Sequence, residues 1–201
     1  MAQPTGDAVR DAILDATEGL LGRFGYSKTT VEEIAREAGI GKGTIYLHFD
    51  SKQEVALATV DRLVGRVVER LEEIAAADRP AVERLREMLV ARVVVRLHGV
   101  QHYAGRIDEL LRAIRPELLA RRARHFEREA TVLRGVLEEG AARGELRAVD
   151  PRATARAMIA ATNSLLPYDL PVRELRRRKP IAEQAGRIVD LLLTGIAARP
   201  G

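Results

Sequence analysis

The sequence predicts an all-α protein of about nine helices, with a three-helix N-terminal unit that contains a helix-turn-helix and a larger helical domain after it. Three observations carry this. From Thr29 to Lys52 the chain reads TTVEEIAREAGIGKGTIYLHFDSK, two short amphipathic runs parted by a glycine-bearing turn. Helix start and stop signals recur through the rest of the 201 residues. No stretch has the alternating apolar pattern and β-branched density of a sheet. The division expected is a flexible arm at residues 1–6, a helix-turn-helix domain at 7–52 and a helical domain at 53–201.

Asp7 to Phe24 reads as one helix, with Val9, Ile13, Ala16, Leu20 and Phe24 on an inward face. Thr30 and Glu33 then form a capping box, in which hydroxyl and carboxylate each satisfy a free backbone N–H. Val31, Ile34, Ala35 and Ala38 give that helix one apolar stripe. Gly39 falls where a left-handed residue ends a helix at little steric cost, and Ile40 can drop into the core beside Ile34. The next helix, Lys42 to Phe49, keeps only Ile45 and Phe49 as a buried i, i+4 pair.

Ser51 and Glu54 start a long helix to about Ala77, with Val55, Leu63, Val67, Leu71 and Ile74 along one side. Asp78-Arg79-Pro80 breaks it, and helix resumes from Ala81 to about Leu97. Gly99 and Gly105 mark an interrupted region from Val100 to Ile114. Pro116 is expected as the first residue of a helix running to about Arg143, with Gly144 as its stop. Asp150-Pro151 caps a helix from Arg152 to Leu166, Pro167 and Pro171 end it, and a last helix runs from Pro180 to about Ala198. Arg173, Arg176, Arg177, Arg178 and Lys179 read as a solvated connection.

A helix buried on so narrow a stripe as Ile45 and Phe49 must present its remaining side chains to something. Major-groove reading requires such a helix, its N-terminal residues at base edges and flanking groups on phosphates. Lys42 and Thr44 can hydrogen-bond bases, Gly43 allows close backbone approach, and Leu47 can touch a thymine methyl. Tyr46, His48, Lys28, Thr29 and Thr30 suit phosphate oxygens, and Lys52 in the first turn of the next helix adds an ammonium there.

Bulk charge does not carry this reading. The chain has a net charge of +4, but residues 1–55 hold six Lys/Arg against nine Asp/Glu. Only the placement of Lys28, Lys42 and Lys52, three of four lysines, supports phosphate contact.

With 46% hydrophobic residues the chain can build one small domain and one larger core. It has no Cys, which excludes disulfides and thiolate metal sites. There is no secretory signal pattern and no apolar run of membrane-spanning length, so a soluble cytoplasmic protein with no membrane partner is expected. No glycine-rich phosphate loop after a strand, HExxH or nucleophile elbow appears. Neither enzymatic activity nor a cofactor is expected. His98 and His102 stand i, i+4, but Gly99 between them and the lack of a third ligand argue against a metal. The alternative function is a helical protein-interaction module without DNA binding, or, further off, an enzyme whose site is not visible in sequence.

VRDAILDATEGLLGRFGYSKTTVEEIAREAGIGKGTIYLHFDSKQEV resembles the N-terminal domain of the tetracycline-repressor (TetR) family of bacterial transcriptional regulators, from about Asp7 to Leu57. The elements of the resemblance are Phe24-Gly25-Tyr26, Thr29-Thr30-Val31, Ile34-Ala35, Ala38-Gly39, Lys42-Gly43-Thr44-Ile45-Tyr46, His48-Phe49 and Ser51-Lys52. Gly41 departs from it, because members often carry Ser there; the lost N-cap costs only a few tenths of a kcal/mol.

The resemblance implies a ligand-responsive, sequence-specific DNA-binding regulator, most often a repressor, that binds palindromic double-stranded operator DNA as a homodimer. It also implies that effector entering the C-terminal core shifts the helix from Ser51 to Ala77 and releases DNA. In that family the last two helices pair with their copies as a four-helix interface. Here they carry small and apolar residues, among them Ala157, Met158, Ala161, Thr162 and Leu165 in one and Ile188, Leu191 and Leu192 in the other.

The effector question turns on Arg92. At about 100° per residue it lies opposite Glu83 and on the apolar face with Leu85, Met88 and Leu89, while Glu83, Arg84, Arg86 and Glu87 define an outer side. Arg96 follows one turn on. Buried charge needs a partner. One reading is structural: an ion pair with an acid of the long helix such as Glu127 or Glu129, or escape into solvent near the helix end. The other is that Arg92, with Arg96, Tyr103 and His125, receives an anionic group of a small molecule lying against Leu85, Met88, Leu89 and Phe126, in a pocket that also includes Glu129. Aromatics beyond residue 60 are too few for a cage around lipophilic cations, which favours an anionic or aliphatic effector over a broad drug sensor.

Overall fold

The computed structural model describes residues 6–175 and 177–196, apart from the side chains of Tyr103, Val172 and Arg178. Within them lie nine α-helices: α1 (Gly6–Phe24), α2 (Val31–Glu37), α3 (Lys42–His48), α4 (Lys52–Ala75), α5 (Ala81–Val100), α6 (Ile107–Ala142), α7 (Pro151–Ala161), α8 (Val172–Leu175) and α9 (Arg178–Ile196). Short 3-10 turns occupy Gln101–Tyr103 and Asn163–Leu165. The expected arm at residues 1–6 lies outside the described residues except Gly6, which opens α1. Arg176 and Ala198 lie outside them too.

The chain forms two compact units, one of residues up to Arg62 with His102–Ala120, the other of Leu63–Gln101 with the chain from Arg121 on. In the first, Ile13, Ala16 and Leu20 of α1 meet Val31, Ile34 and Ala35 of α2, Ile45 of α3, Phe49, and Val55 and Ala58 of α4 in one core. Val9 and Ile40 pack at its edge. Phe24, expected inside, is 46% exposed. It is the last residue of α1, and the chain turns away at Gly25 with φ +82°.

Both caps of α2 form as the local chemistry requires. The Thr30 hydroxyl accepts from Glu33 N at 3.2 Å, and the Glu33 carboxylate accepts from Thr30 N at 2.9 Å. At the other end Gly39 has φ +69°, Gly39 N donates to Arg36 O, and Ile40 N donates to Ala35 O. These two bonds satisfy carbonyls that the helix leaves unpaired.

Pro116 does not begin a helix; it lies inside α6, which starts at Ile107. Ile107, Leu110, Ile114 and Leu118 form one buried stripe that runs past the proline. Burying four such side chains is worth roughly 1.5–3 kcal/mol each, which outweighs the ~3 kcal/mol of an interior proline. The stretch expected to be interrupted is therefore mostly helix, and the break falls at 101–106.

Arg106, just before α6, and Glu109 in its first turn fasten the loop between α1 and α2. Arg106 donates to Gly22 O at 3.0 Å and to Arg23 O, and the Glu109 carboxylate accepts from Ser27 N. A Cβ on Gly25 would stand 2.9 Å from both Arg106 Cδ and Glu109 Oε2, so the contact needs glycine there.

In the second unit α4, α5, α6, α7 and α9 surround one core built on Val67, Leu71, Leu85, Met88, Leu89, Leu133, Ile159 and Val189. The cap expected for α7 forms, with Asp150 accepting from Arg152 N and Ala153 N at 2.9 and 3.1 Å and Pro151 behind it. The helix stops at Ala161, five residues short of the expected end, and tightens into the 3-10 turn. A four-residue helix, α8, stands where a solvated connection was expected. Arg84 is not on the outer side; it is 3% exposed and donates to Ala75 O at 2.7 Å and to Glu139 at 2.9 Å.

Candidate DNA-reading helix, buried arginine cluster and groove

α3 is fastened by Ile45 and Phe49, 1% and 5% exposed, while Leu47 is 84% and Tyr46 48% exposed. A large apolar side chain as exposed as Leu47 on a helix so anchored is what a groove-entering helix presents. Lys42 and Gly43 are exposed beside it, and no atom lies within 4 Å of a Cβ built on Gly43. Thr44 and His48 are half-buried. Gly41 caps α3 without a side-chain bond, its carbonyl accepting from Thr44 N at 2.9 Å.

Three of the expected contact residues have other occupations. Thr29 is 1% exposed, and its hydroxyl donates to Gly25 O at 2.7 Å, so it closes the α1–α2 loop and is not offered to a phosphate. The Thr30 hydroxyl and N–H are engaged in the cap of α2. The Lys52 ammonium donates to Tyr26 O and Thr29 O, both at 3.0 Å, and stands 4.1 Å from the centre of the Tyr26 ring. Lys52 therefore holds the α1–α2 loop against the start of α4. Lys28 is exposed.

Lys42 is ion-paired with Glu32 of α2 and lies 5.9 Å from the Tyr46 ring centre. The shared hydrogen bond raises the Lys42 pKa and lowers that of Glu32. Sequence reading did not single out Glu32, since the pair joins two helices across a turn and obeys no i, i+4 spacing.

In the second unit Arg92 and Glu129 are fully buried and Arg96 is 5% exposed. Arg92 Nε donates to Glu129 Oε2 at 2.7 Å, and Arg96 Nη2 donates to Glu129 Oε1 at 2.6 Å. The other Arg92 donors reach Ile159 O, the Thr162 hydroxyl and Asn163 Oδ1. Of the two readings of Arg92, the structure has the ion pair, and the acid is Glu129. Burial alone would push the Glu129 carboxyl up, but Arg96 and Arg92 hold it below the ordinary carboxylate value. Burial lowers the Arg92 pKa against the pull of Glu129.

Two arginines against one carboxylate leave this cluster one positive charge in excess. Tyr168 stands close enough to feel both; burial pushes its pKa up to about 12, and its hydroxyl has no hydrogen-bond partner among the described residues. Arg122 lies 5.8 Å from the centres of both the Tyr168 and Phe126 rings.

A groove of about 230 Å³ runs between α6 and α7, lined by Ala123, Phe126, Glu127, Ala130, Arg156, Ile159, Ala160 and Asn163. Asn163 and Phe126 connect it to the cluster, one bonded to Arg92 and the other 5.6 Å from it. Leu85, Met88 and Leu89, expected to line the site, are fully buried members of the core, and His125 of α6 is buried. Of the expected lining residues whose side chains are described, Phe126 alone lines this groove. The Tyr103 side chain lies outside the described residues.

On the expected interface, Ala157 is exposed, Ala161, Ile188 and Leu192 are half-buried, and Leu191 is 78% exposed. Met158, Thr162 and Leu165 are buried within the unit, Met158 in its core and Thr162 against Arg92. At about 100° per residue Met158 and the C-cap Thr162 lie about 100° round the helix from Ala157 and Ala161, which is enough to turn one pair inward and the other toward the surface.

Residues 13–59 match the family described as bacterial regulatory proteins, tetR family, and residues 78–166 match the tetracyclin repressor-like C-terminal domain. The chain is 30% identical over 151 residues to the fatty acid metabolism regulator protein of Bacillus subtilis, covering 75% of this chain and 77% of that one. It is similar in fold to the Bacillus subtilis regulator FadR in complex with stearoyl-CoA, with a TM-score of 0.59, 25% identity and 92% and 98% of the two chains covered. SmeT, repressor of a Stenotrophomonas maltophilia multidrug efflux pump, aligns with a TM-score of 0.60 and 25% identity over 96% of this chain and 92% of its own.

Proposed function

Because this chain belongs to the tetR family of bacterial regulatory proteins, and is thereby a ligand-responsive, sequence-specific DNA-binding transcriptional regulator, we propose that it is a homodimeric repressor released from a palindromic operator by a long-chain acyl thioester. It acts in the cytoplasm, with residues 7–52 reading DNA and 53–201 receiving effector and forming the dimer. The observation that carries the DNA reading is α3, anchored by two side chains with Leu47 and Tyr46 turned outward. Lys42, Gly43, Thr44 and Leu47 face base edges, and Tyr46, His48 and Lys28 take phosphates.

The groove and the relatives together support this effector class. Ala123, Phe126, Ala130, Ile159 and Ala160 offer an aliphatic chain an apolar wall, and the excess positive charge behind Asn163 favours an anionic group. At about 230 Å³ the groove is smaller than the roughly 300–1,000 Å³ of ordinary ligand pockets, so occupation requires α6 and α7 to part. A ligand that binds the parted state better shifts the population toward it. α6 can carry that change, because the helix lined with groove residues also begins at the Arg106 and Glu109 bonds to the α1–α2 loop.

The test is selection of a duplex from a randomised pool, followed by fluorescence anisotropy with stearoyl-CoA, stearate and free CoA. Stearoyl-CoA should weaken operator binding about 5- to 150-fold, the range of ordinary allosteric coupling. Recovery of no consensus duplex would refute the DNA reading. A consensus whose affinity no acyl thioester changes would refute the effector class alone.

A further inference from the structure

We propose that Glu32 is a specificity-determining residue, which cancels the Lys42 charge toward DNA backbone and so suppresses binding to random sequence relative to operator. This rests on α3 as the DNA-reading helix. The Glu32 carboxylate and Lys42 ammonium are in direct contact, with side chains 61% and 51% exposed, and the ammonium is held beside the Tyr46 ring. A phosphate several ångströms away meets both charges within one screening length of about 8–10 Å, so attraction to one is offset by repulsion from the other. A base-edge acceptor works at hydrogen-bond range, where the nearer donor dominates and geometry decides. The pair thus removes a cation from the sequence-independent term and keeps it in the sequence-dependent one.

The charge distribution of this unit makes the effect consequential. Residues 1–55 are net acidic, and Lys52 is turned inward onto Tyr26 O and Thr29 O. With so few cations available, a single neutralised lysine is a large fraction of the backbone attraction. Glu32 is not needed for the cap of α2, which Glu33 completes. Its position is therefore free of the structural duty that its neighbour carries.

Glu32→Gln keeps the side-chain shape and removes the charge. Each phosphate neutralised contributes about −0.9 to the slope of log affinity against log salt. The variant should therefore steepen that slope by about 0.9 for a scrambled duplex and raise its affinity roughly fivefold at 0.1 M salt. Affinity for the duplex selected by the unaltered protein should stay unchanged, lowering the operator-to-scrambled ratio about fivefold.

Glu37→Gln is the matched control. Glu37 lies on the same helix but pairs with Arg23 of α1, so its substitution changes net charge equally and frees a cation of α1 in place of Lys42 on the reading helix. It should leave the ratio unchanged, and thermal melting of both variants excludes a change in stability as the cause. An unchanged ratio in Glu32→Gln, or the same shift in Glu37→Gln, would overturn the proposal. Failure of the unaltered protein to prefer any duplex would overturn the DNA reading beneath it.

Discussion

Glu129→Gln would leave Arg92 and Arg96 sharing a buried site with no counter-charge, since Glu129 is the acid to which both donate. Removing one member of a buried charge set typically costs about 3–5 kcal/mol, and urea unfolding should show a loss of that order. The acid limb of the stability profile should also change. Glu129 has a folded pKa below its ordinary value of 4.5, so its contribution is fully present above that pH and is lost as pH falls through the folded value. The difference between wild type and variant should therefore shrink below about pH 4.5. Arg92's place on the apolar face was legible, because helical phase is a local property. Which acid met it was not: Glu129 lies on another helix, and Thr162 and Asn163 come from a third stretch of chain. Lys52 teaches the same thing in reverse, a lysine in a helix's first turn whose ammonium is claimed by two carbonyls of an earlier loop.

At the scale of elements, short-range chemistry placed most boundaries. The Thr30–Glu33 box, Gly39, and Asp150-Pro151 all act where they were expected to, each being a contact among residues within a few positions of one another. Pro116 lies inside α6 because a proline's local preference is outweighed by a stripe of burial that only the assembled core supplies. A helix that began at Pro116 would leave Glu109, and the bonds that it and Arg106 make to the α1–α2 loop, outside α6. Those bonds support a specific expectation for α6. Arg106→Ala should leave operator affinity within about threefold while reducing the effect of stearoyl-CoA on it by about tenfold, a change on the order of 1.4 kcal/mol in coupling. Anisotropy titrations with and without the thioester measure both. An effector response that survives the substitution intact would assign transmission to α4 instead.

For the whole molecule the decisive quantity is the dimer, on which half-site spacing depends. Leu191 is 78% exposed on α9, near half-buried Ile188 and Leu192. Leu191→Glu should give a monomeric mass in light scattering at micromolar concentration and weaken operator binding at least a hundredfold, because two linked half-sites become two separate ones. A dimer of undiminished affinity would place the interface elsewhere. The amino-acid sequence by itself determined the all-α class, the helix-turn-helix and the exposed face of its second helix, because periodicity, caps and turns are set by neighbours along the chain. Tertiary structure alone decided which of the small residues on α7 turn outward, which carboxylate holds Arg92, and that Lys42 is matched by Glu32. Each of those depends on where one element's phase meets another's, and sequence distance carries no record of that meeting.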